Sequence, residues 1–323
     1  MRAVQVVTTS GPDGVEIREV AEPTPGPDDV LVEVHAVGVA FPDLLLSKGL
    51  YQLRPEPPFT LGADFSGLVV SAGSSGLAPG QRVAGVVPHG AAAERICVPG
   101  SFVLPLPGRL SFEEGAALPM NYLTAQFALK ERGGIRPGET VLVHGAAGGV
   151  GTATIQVAKG YGARTIAVVS TEQKALVARA AGADETVLLE GFRDAVVALT
   201  GGTGVDLVMD PVGGEAFTDS LRVLAPQGRL LVVGFAAGQG IPEVKVNRLL
   251  LTNVDVRGVG WGAYAMVRPG YLHQQWAELL PMIESGVVKP PIGATYPLEE
   301  FTRALADLDG RRAVGKLVVR VSG

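Results

Sequence analysis

With 323 residues the chain exceeds what one ordinary domain holds, so two domains sharing a crevice are expected, and its 47% of apolar residues suffices to build sizeable cores. The formal charge of −5 is spread over mixed acidic and basic residues, which leaves no stripe for a phosphate backbone and excludes nucleic acid as an expected partner. No apolar run reaches the roughly 20 residues that span a bilayer, and the single Cys97 can form neither an internal disulfide nor a cysteine-rich zinc site. The chain runs from Met1 straight into a strand-like pattern, without the apolar block and cleavage site of a secretory leader. The expectation is a cytoplasmic protein that acts on a small-molecule substrate and does not engage a membrane.

In chain order, residues 1–118 carry short β-branched runs at 3–7, 30–34, 67–70 and 82–87, separated by Pro/Gly clusters at 23–29 and 78–80. This pattern predicts an irregular, mostly antiparallel β domain. From residue 119 to 262 strands alternate with helical stretches, as a parallel α/β sheet requires. Six strands are predicted at 141–144, 165–169, 186–189, 206–210, 230–234 and 255–259, with helices clearest at 152–161, 172–181 and 215–224. Six alternating strands match the doubly wound dinucleotide fold. Residues 263–323 change character again, with helical pieces at 274–285 and 298–308 and a last strand at 316–321, and are expected to return to the first domain.

The strongest local signal is the strand Val141-Leu142-Val143-His144, followed by Gly145, Ala146, Ala147, Gly148, Gly149, Val150 and Gly151 at the start of a helix. Free N–H groups at a helix N-terminus, approached through residues without bulk, suit a pyrophosphate. Taken alone the glycines are equally a tight structural turn; their place between strand and helix favours the dinucleotide reading. About 20 residues further on, where an acidic residue would hold a ribose 2′-hydroxyl, stand Ser170, Thr171, Glu172, Gln173 and Lys174. Ser170 and Thr171 can donate hydrogen bonds to a 2′-phosphate and Lys174 can oppose its charge, which favours NADPH. Two features speak otherwise: Ser170 with Gln173 is also a helix capping box, and Glu172 lies close enough to reach a ribose.

Several segments together resemble the medium-chain dehydrogenase/reductase superfamily, and within it the zinc-free quinone oxidoreductase and enoyl reductase branch. They are Gly38-Val39-Ala40-Phe41-Pro42-Asp43-Leu44, Gly49-Leu50-Tyr51, the stretch 58–67 that includes Gly62-Ala63-Asp64, Asn121-Tyr122-Leu123-Thr124-Ala125, the glycine turn and Asp210-Pro211-Val212-Gly213-Gly214. The resemblance spans essentially the whole chain. It implies a GroES-like β-rich catalytic domain plus an inserted Rossmann doubly wound parallel sheet, and commonly a homodimer. Where the alcohol dehydrogenase branch places a zinc-ligating Cys and His, this chain has Ala40 and Ala63, and methyl groups cannot ligate a metal. His35, His89, His144 and His273 form no ligand pattern, so no metal is expected.

The resemblance further implies that Tyr51 either donates a proton or only lines the substrate pocket with Phe41. It places Asn121, Tyr122 and Thr124 toward nicotinamide and substrate, or else at a merely polar helix start. It puts Val212, Gly234, Phe235 and Asn247 near the cofactor, and it leaves Trp261 as either a pocket wall or a core residue. Many quinone reductases of this branch carry Asn where this chain has Ala40, which makes the pocket more apolar. The expected activity is NADPH-dependent hydride transfer to a quinone or an α,β-unsaturated carbonyl or enoyl thioester. The alternative is a catalytically silent NADPH-binding protein with a structural or regulatory role, as in lens crystallins that resemble this branch.

Overall fold

A computed structural model describes residues 1–321 of the chain. It divides into two compact units. The first is made of Met1–Met120, Arg268–Trp276 and the segment from Pro290 onward; the second comprises Asn121–Val267 and Ala277–Lys289.

Along the chain, the first unit opens with β1 (Arg2–Val6), β2 (Val15–Glu19), β3 (Asp29–Val39), helix α1 (Phe41–Ser47), β4 (Phe59–Thr60), β5 (Asp64–Ser71), β6 (Arg82–Val86), β7 (Arg95–Pro99), β8 (Val103–Pro105) and α2 (Phe112–Ala117). Helix α3 (Pro119–Gln126) leads into β9 (Thr140–Val143), α4 (Gly149–Gly160), β10 (Arg164–Val169), α5 (Glu172–Ala180), β11 (Glu185–Leu188), α6 (Phe192–Leu199), β12 (Val205–Asp210), α7 (Glu215–Arg222), β13 (Leu224–Val232), α8 (Asn247–Thr252), β14 (Asp255–Gly258) and α9 (Trp261–Ala265). The chain ends with α10 (Tyr271–Glu284), β15 (Ile292–Pro297), α11 (Phe301–Asp309) and β16 (Lys316–Arg320).

In the first unit the main sheet has the order β15-β16-β3-β5-β6-β8, with β7 also paired to β3. All its pairings are antiparallel except β15 with β16. Along β3 the residues Val30, Val32 and Val34 are fully buried while their neighbours are half-exposed, the period of two that places one face of a strand on a core. Helix α2 starts where Ser111 and Glu114 cap each other reciprocally: Ser111 Oγ accepts from the Glu114 N–H at 3.1 Å, and Glu114 Oε2 accepts from the Ser111 N–H at 2.8 Å.

The second unit holds a six-stranded sheet in the order β11-β10-β9-β12-β13-β14, parallel throughout. Its central strands are apolar through their middles, as strands covered on both faces must be, with Val141, Leu142, Val143, Val208 and Met209 fully buried. Strand order reverses between β9 and β12, so their carboxyl ends open a crevice of the kind that binds nucleotides.

Three expectations need correction. Residues 263–323 do not all return to the first unit, because 277–289 pack with the second. There Glu278 accepts from Gln126 Nε2 and Lys130 Nζ at 2.6 Å each, and Gln156 holds the main chain at Lys289. The helix expected to run to residue 224 stops at Arg222, and β13 begins at Leu224 instead of residue 230. Gln227 with φ 65° bends the chain there. Strands β2, β4, β7, β8 and β15 also lie outside the predicted runs, and β4 and β8 span only two and three residues.

Leu142 sits at the centre of the parallel sheet with no exposed surface. Leu142→Ala is expected to cost about 2–5 kcal/mol through lost burial and the cavity left behind, visible as a lower urea midpoint of the transition that unfolds the second unit.

Candidate functional site

In the second unit the crevice is built from bare main chain. After β9 the chain turns at Gly145, where φ is +58°, and α4 begins with Gly148 as its cap. A Cβ on Gly151 would lie 2.3 Å from Gly145 O and 2.6 Å from Ala146 Cα, so only glycine lets the helix close onto the turn. A Cβ on Gly149 would lie 2.4 Å from Asn121 Nδ2, which places that side chain directly against the helix start. The N–H groups of Gly149, Val150 and Gly151 have no acceptor within their own helix, and they carry the positive end of its dipole. Such a terminus is suited to hold a diphosphate.

Two further turns meet the first. Gly145 lies close to Val212, with a hypothetical Cβ 3.2 Å from Val212 Cγ2. The turn after β12 is shaped by Asp210, whose Oδ1 accepts from the N–H groups of Val212 and Gly213 at 2.9 and 2.8 Å. Asp210 Oδ2 is buried without a hydrogen-bond partner. Gly213 in turn faces Phe235 and Gly234, the residues just past β13. Thus Gly145, Ala147, Gly148, Gly149, Val150, Gly151, Val212, Gly234 and Phe235 gather at the carboxyl end of the sheet. Asn247 is exposed on the first turn of α8 and makes no hydrogen bond through its side chain among the described residues.

At the end of β10, Ser170 and Thr171 are exposed and Lys174 is half-buried. Here the structure corrects the capping box drawn from sequence: the cap of α5 is Thr171, whose Oγ1 accepts from the Lys174 N–H at 3.2 Å, not Ser170. The Ser170 hydroxyl is thereby left for another partner. The glycine cradle, the free N–H groups and these hydroxyls fit a nicotinamide dinucleotide.

Asn121 and Thr124 lie one turn apart on α3, both nearly buried. Tyr122 departs from the expectation that it lines a substrate pocket. Its phenol donates to Gln156 Oε1 at 2.7 Å inside the second unit, and burial pushes it well above the usual phenol range. Trp261 is buried at the start of α9. His144 is also internal, with Nε2 2.7 Å from Ser220 Oγ and its ring edge-on to Phe192. Burial lowers its pKa while Asp210 pulls the other way.

In the first unit, Phe41 and Tyr51 are half-buried against the β-domain core at either end of α1. Burial, and then the charge of Asp43, raise the Tyr51 phenol above its ordinary value, so it keeps its proton through the neutral range. Asp43 is fully buried, and its Oδ2 and Oδ1 accept from the N–H groups of Ala40 and Gly62 at 2.8 and 3.0 Å. Asp64 is equally buried; Oδ2 receives Lys316 Nζ at 2.5 Å and Oδ1 receives the Met120 N–H at 2.7 Å. Removing either partner of such a buried pair costs about 3–5 kcal/mol, because the other charge is then stranded.

These residues do not fit a zinc ion. Ala40 and Ala63 offer only methyl groups, both oxygens of Asp64 are already bonded, and among the described residues no three His, Cys, Asp or Glu side chains gather. Sequence reasoning misses Lys316 because it stands 252 residues from Asp64. The available signal was a lysine opening the otherwise apolar strand Lys316-Leu317-Val318-Val319.

Comparison with known proteins agrees with this geometry. Residues 26–108 match the alcohol dehydrogenase GroES-like domain, and 149–285 match the family described as zinc-binding dehydrogenase. The chain is 38% identical to quinone oxidoreductase-like protein 2 of Rattus norvegicus, over 94% of this chain and 88% of that protein. A probable oxidoreductase from Mycobacterium abscessus superposes with a TM-score of 0.91 at 45% identity, over 99% of both chains. The quinone oxidoreductase of Thermus thermophilus, solved alone and in complex with NADPH, gives a TM-score of 0.86 at 36% identity, over 99% of this chain and 100% of that one.

Two glycine substitutions separate packing from binding. Gly148→Ala meets only Gly145 O at 3.4 Å, so it should leave the melting temperature nearly unchanged yet weaken dinucleotide binding about tenfold or more by crowding the phosphates. Gly151→Ala collides with main chain and should lower the melting temperature as well. Thermal denaturation and fluorescence titration read the two effects independently.

Proposed function

Because the chain belongs to the quinone oxidoreductase branch of the medium-chain dehydrogenase/reductase superfamily and is an oxidoreductase of that family, we propose that it is a zinc-independent, NADPH-dependent reductase of quinones or α,β-unsaturated carbonyl compounds, enoyl thioesters included. The observation that carries the reading is the glycine cradle at the strand reversal, combined with a β10 end that presents hydroxyls and Lys174 instead of a carboxylate at the strand end proper. The complex of the Thermus relative with NADPH supports the choice of cofactor.

When bound, the reduced nicotinamide supplies the hydride. The chain's own residues do the rest. The N–H groups of Gly149, Val150 and Gly151 hold the diphosphate, while Ser170, Thr171 and Lys174 hold the 2′-phosphate. Asn121 and Thr124 orient the reacting ring, and Val212, Gly234 and Phe235 wall its site. Hydride addition to an activated double bond leaves negative charge on the acceptor oxygen or the α-carbon, and quinone reduction leaves it on oxygen. Tyr51, whose phenol carries its proton in the neutral range, quenches that charge as general acid.

Following NADPH absorbance with an ortho-quinone or a trans-2-enoyl thioester tests the proposal and ranks the two acceptors. Tight binding of NADPH with no oxidation by either class would favour a silent binding protein instead. Tyr51→Phe is expected to lower kcat by about 100-fold or more, the usual worth of a general acid; a raised KM at unchanged kcat would reduce Tyr51 to a pocket wall. Lys174→Ala should weaken NADPH binding by about 1–2 kcal/mol and leave NADH unaffected. Equal losses by calorimetry for both dinucleotides would contradict the 2′-phosphate contact.

A further inference from the structure

Pro119 opens α3 without an N–H, so Met120 supplies the first main-chain donor of that helix, one of the few with no acceptor inside it. Asp64 meets that donor: Oδ1 accepts from the Met120 N–H at 2.7 Å, while Oδ2 receives Lys316 Nζ at 2.5 Å. The lysine opens β16 and reaches the carboxylate across β3, passing over Gly38, where a Cβ would lie 2.6 Å from Lys316 Cε and would strike Ala116 O. Two residues along β5, on the same face, Ser66 Oγ donates to Phe112 O at 2.5 Å at the start of α2. Strand β5 thus holds the α2–α3 segment at both ends, and its second hold falls on the residue immediately before Asn121. A Cβ on Gly149 would strike Asn121 Nδ2, so that carboxamide lies against the start of α4. Among the described residues it makes no side-chain hydrogen bond of its own, and its place is therefore set by the helix that carries it.

We propose that Asp64 is a positioning residue for Asn121: its carboxylate, balanced by the Lys316 ammonium, anchors the first turn of α3 through the Met120 N–H and so holds the Asn121 carboxamide where it orients the nicotinamide. The role rests on the reading of Asn121 as a residue that orients that ring. A carboxylate suits the task because it accepts a stronger bond than a neutral oxygen and faces the positive end of the helix dipole. Left unbalanced in a buried place it would be destabilising, which is what the lysine answers. Precision matters at such a point: a misplacement of about 1 Å in a group that aligns reactants lowers a rate about 100-fold. Asn121 sits one residue past the anchor, so any slip of the first turn passes directly into its side chain.

The test removes the Met120 bond without stranding a charge. In Asp64→Leu with Lys316→Met, acceptor and counter-charge go together; kcat with NADPH and an ortho-quinone should fall about tenfold or more, while NADPH affinity by calorimetry stays within about twofold of wild type, because the diphosphate cradle is untouched. Asp64→Asn with Lys316→Met keeps an acceptor for the Met120 N–H and should return kcat to within about threefold of wild type. The fluorescence emission of bound NADPH reports the surroundings of the reduced ring without turnover, and it should shift toward that of free NADPH in the first pair and not in the second. In an Asn121→Ala background the first pair should lower kcat little further, since both changes act on one contact. If the Leu–Met pair does not fold, an ester replacing the Met120 peptide N–H removes the donor alone and should give the same loss. Unchanged kcat and emission in the Leu–Met pair or the ester protein, an equal loss in the Asn–Met pair, or a full further loss on top of Asn121→Ala overturns the proposal. Wild-type protein that binds NADPH but turns over no acceptor refutes the functional reading, whereas bound-NADPH emission that still moves with the Met120 bond upholds the positioning role; wild-type protein that binds no NADPH refutes both.

Discussion

Helix α4 can follow strand β9 only because Gly151, in its first turn, carries no side chain. The main chain at Gly151 comes so near Gly145 and Ala146 that a single methyl group would strike backbone atoms. This close approach seats the helix on the sheet and brings its unbonded N–H groups to the carboxyl end of β9. Packing and anion binding are thus met by the same absence of side chains. The turns after β12 and β13 then need only be short and tightly bonded to complete the crevice, as Asp210 does for Val212 and Gly213.

The first unit solves a different problem. It buries two carboxylates and an ammonium beside positions where metal ligands would stand in the alcohol dehydrogenase branch. Buried charge is costly unless every lone pair and proton is met, and here the four carboxylate oxygens are each bonded: Ala40 and Gly62 serve Asp43, while Lys316 and Met120 serve Asp64. Among the described residues of this unit Lys316 is the buried cation, and it reaches Asp64 over a glycine. Glycine again makes the arrangement possible, at Gly38 by leaving space for a side chain and at Gly151 by leaving space for a helix.

Helix α10 shows why domain boundaries are harder to read than elements. Its residue pattern predicts a helical stretch ending close to where the structure ends it, at Glu284. Nothing local says that its later turns pack with the second unit, since that is settled by Gln126 and Lys130 meeting Glu278 from more than a hundred residues away. Thr171 teaches the same lesson on a smaller scale: Ser170 and Thr171 are both good caps, and the choice depends on where β10 lets go of the chain.

The α/β class, the six parallel strands, the glycine turn that opens α4 and the loss of zinc donors at Ala40 and Ala63 are all legible in the amino-acid order, because each depends on the periodicity or chemical identity of residues close together in the chain. Folding alone settled that Tyr122 turns its phenol inward to Gln156, that 277–289 join the second unit, and that Lys316 reaches Asp64. These are pairings between distant segments, brought about by sheet order and burial, and no local pattern encodes which donor will meet which acceptor once water is excluded.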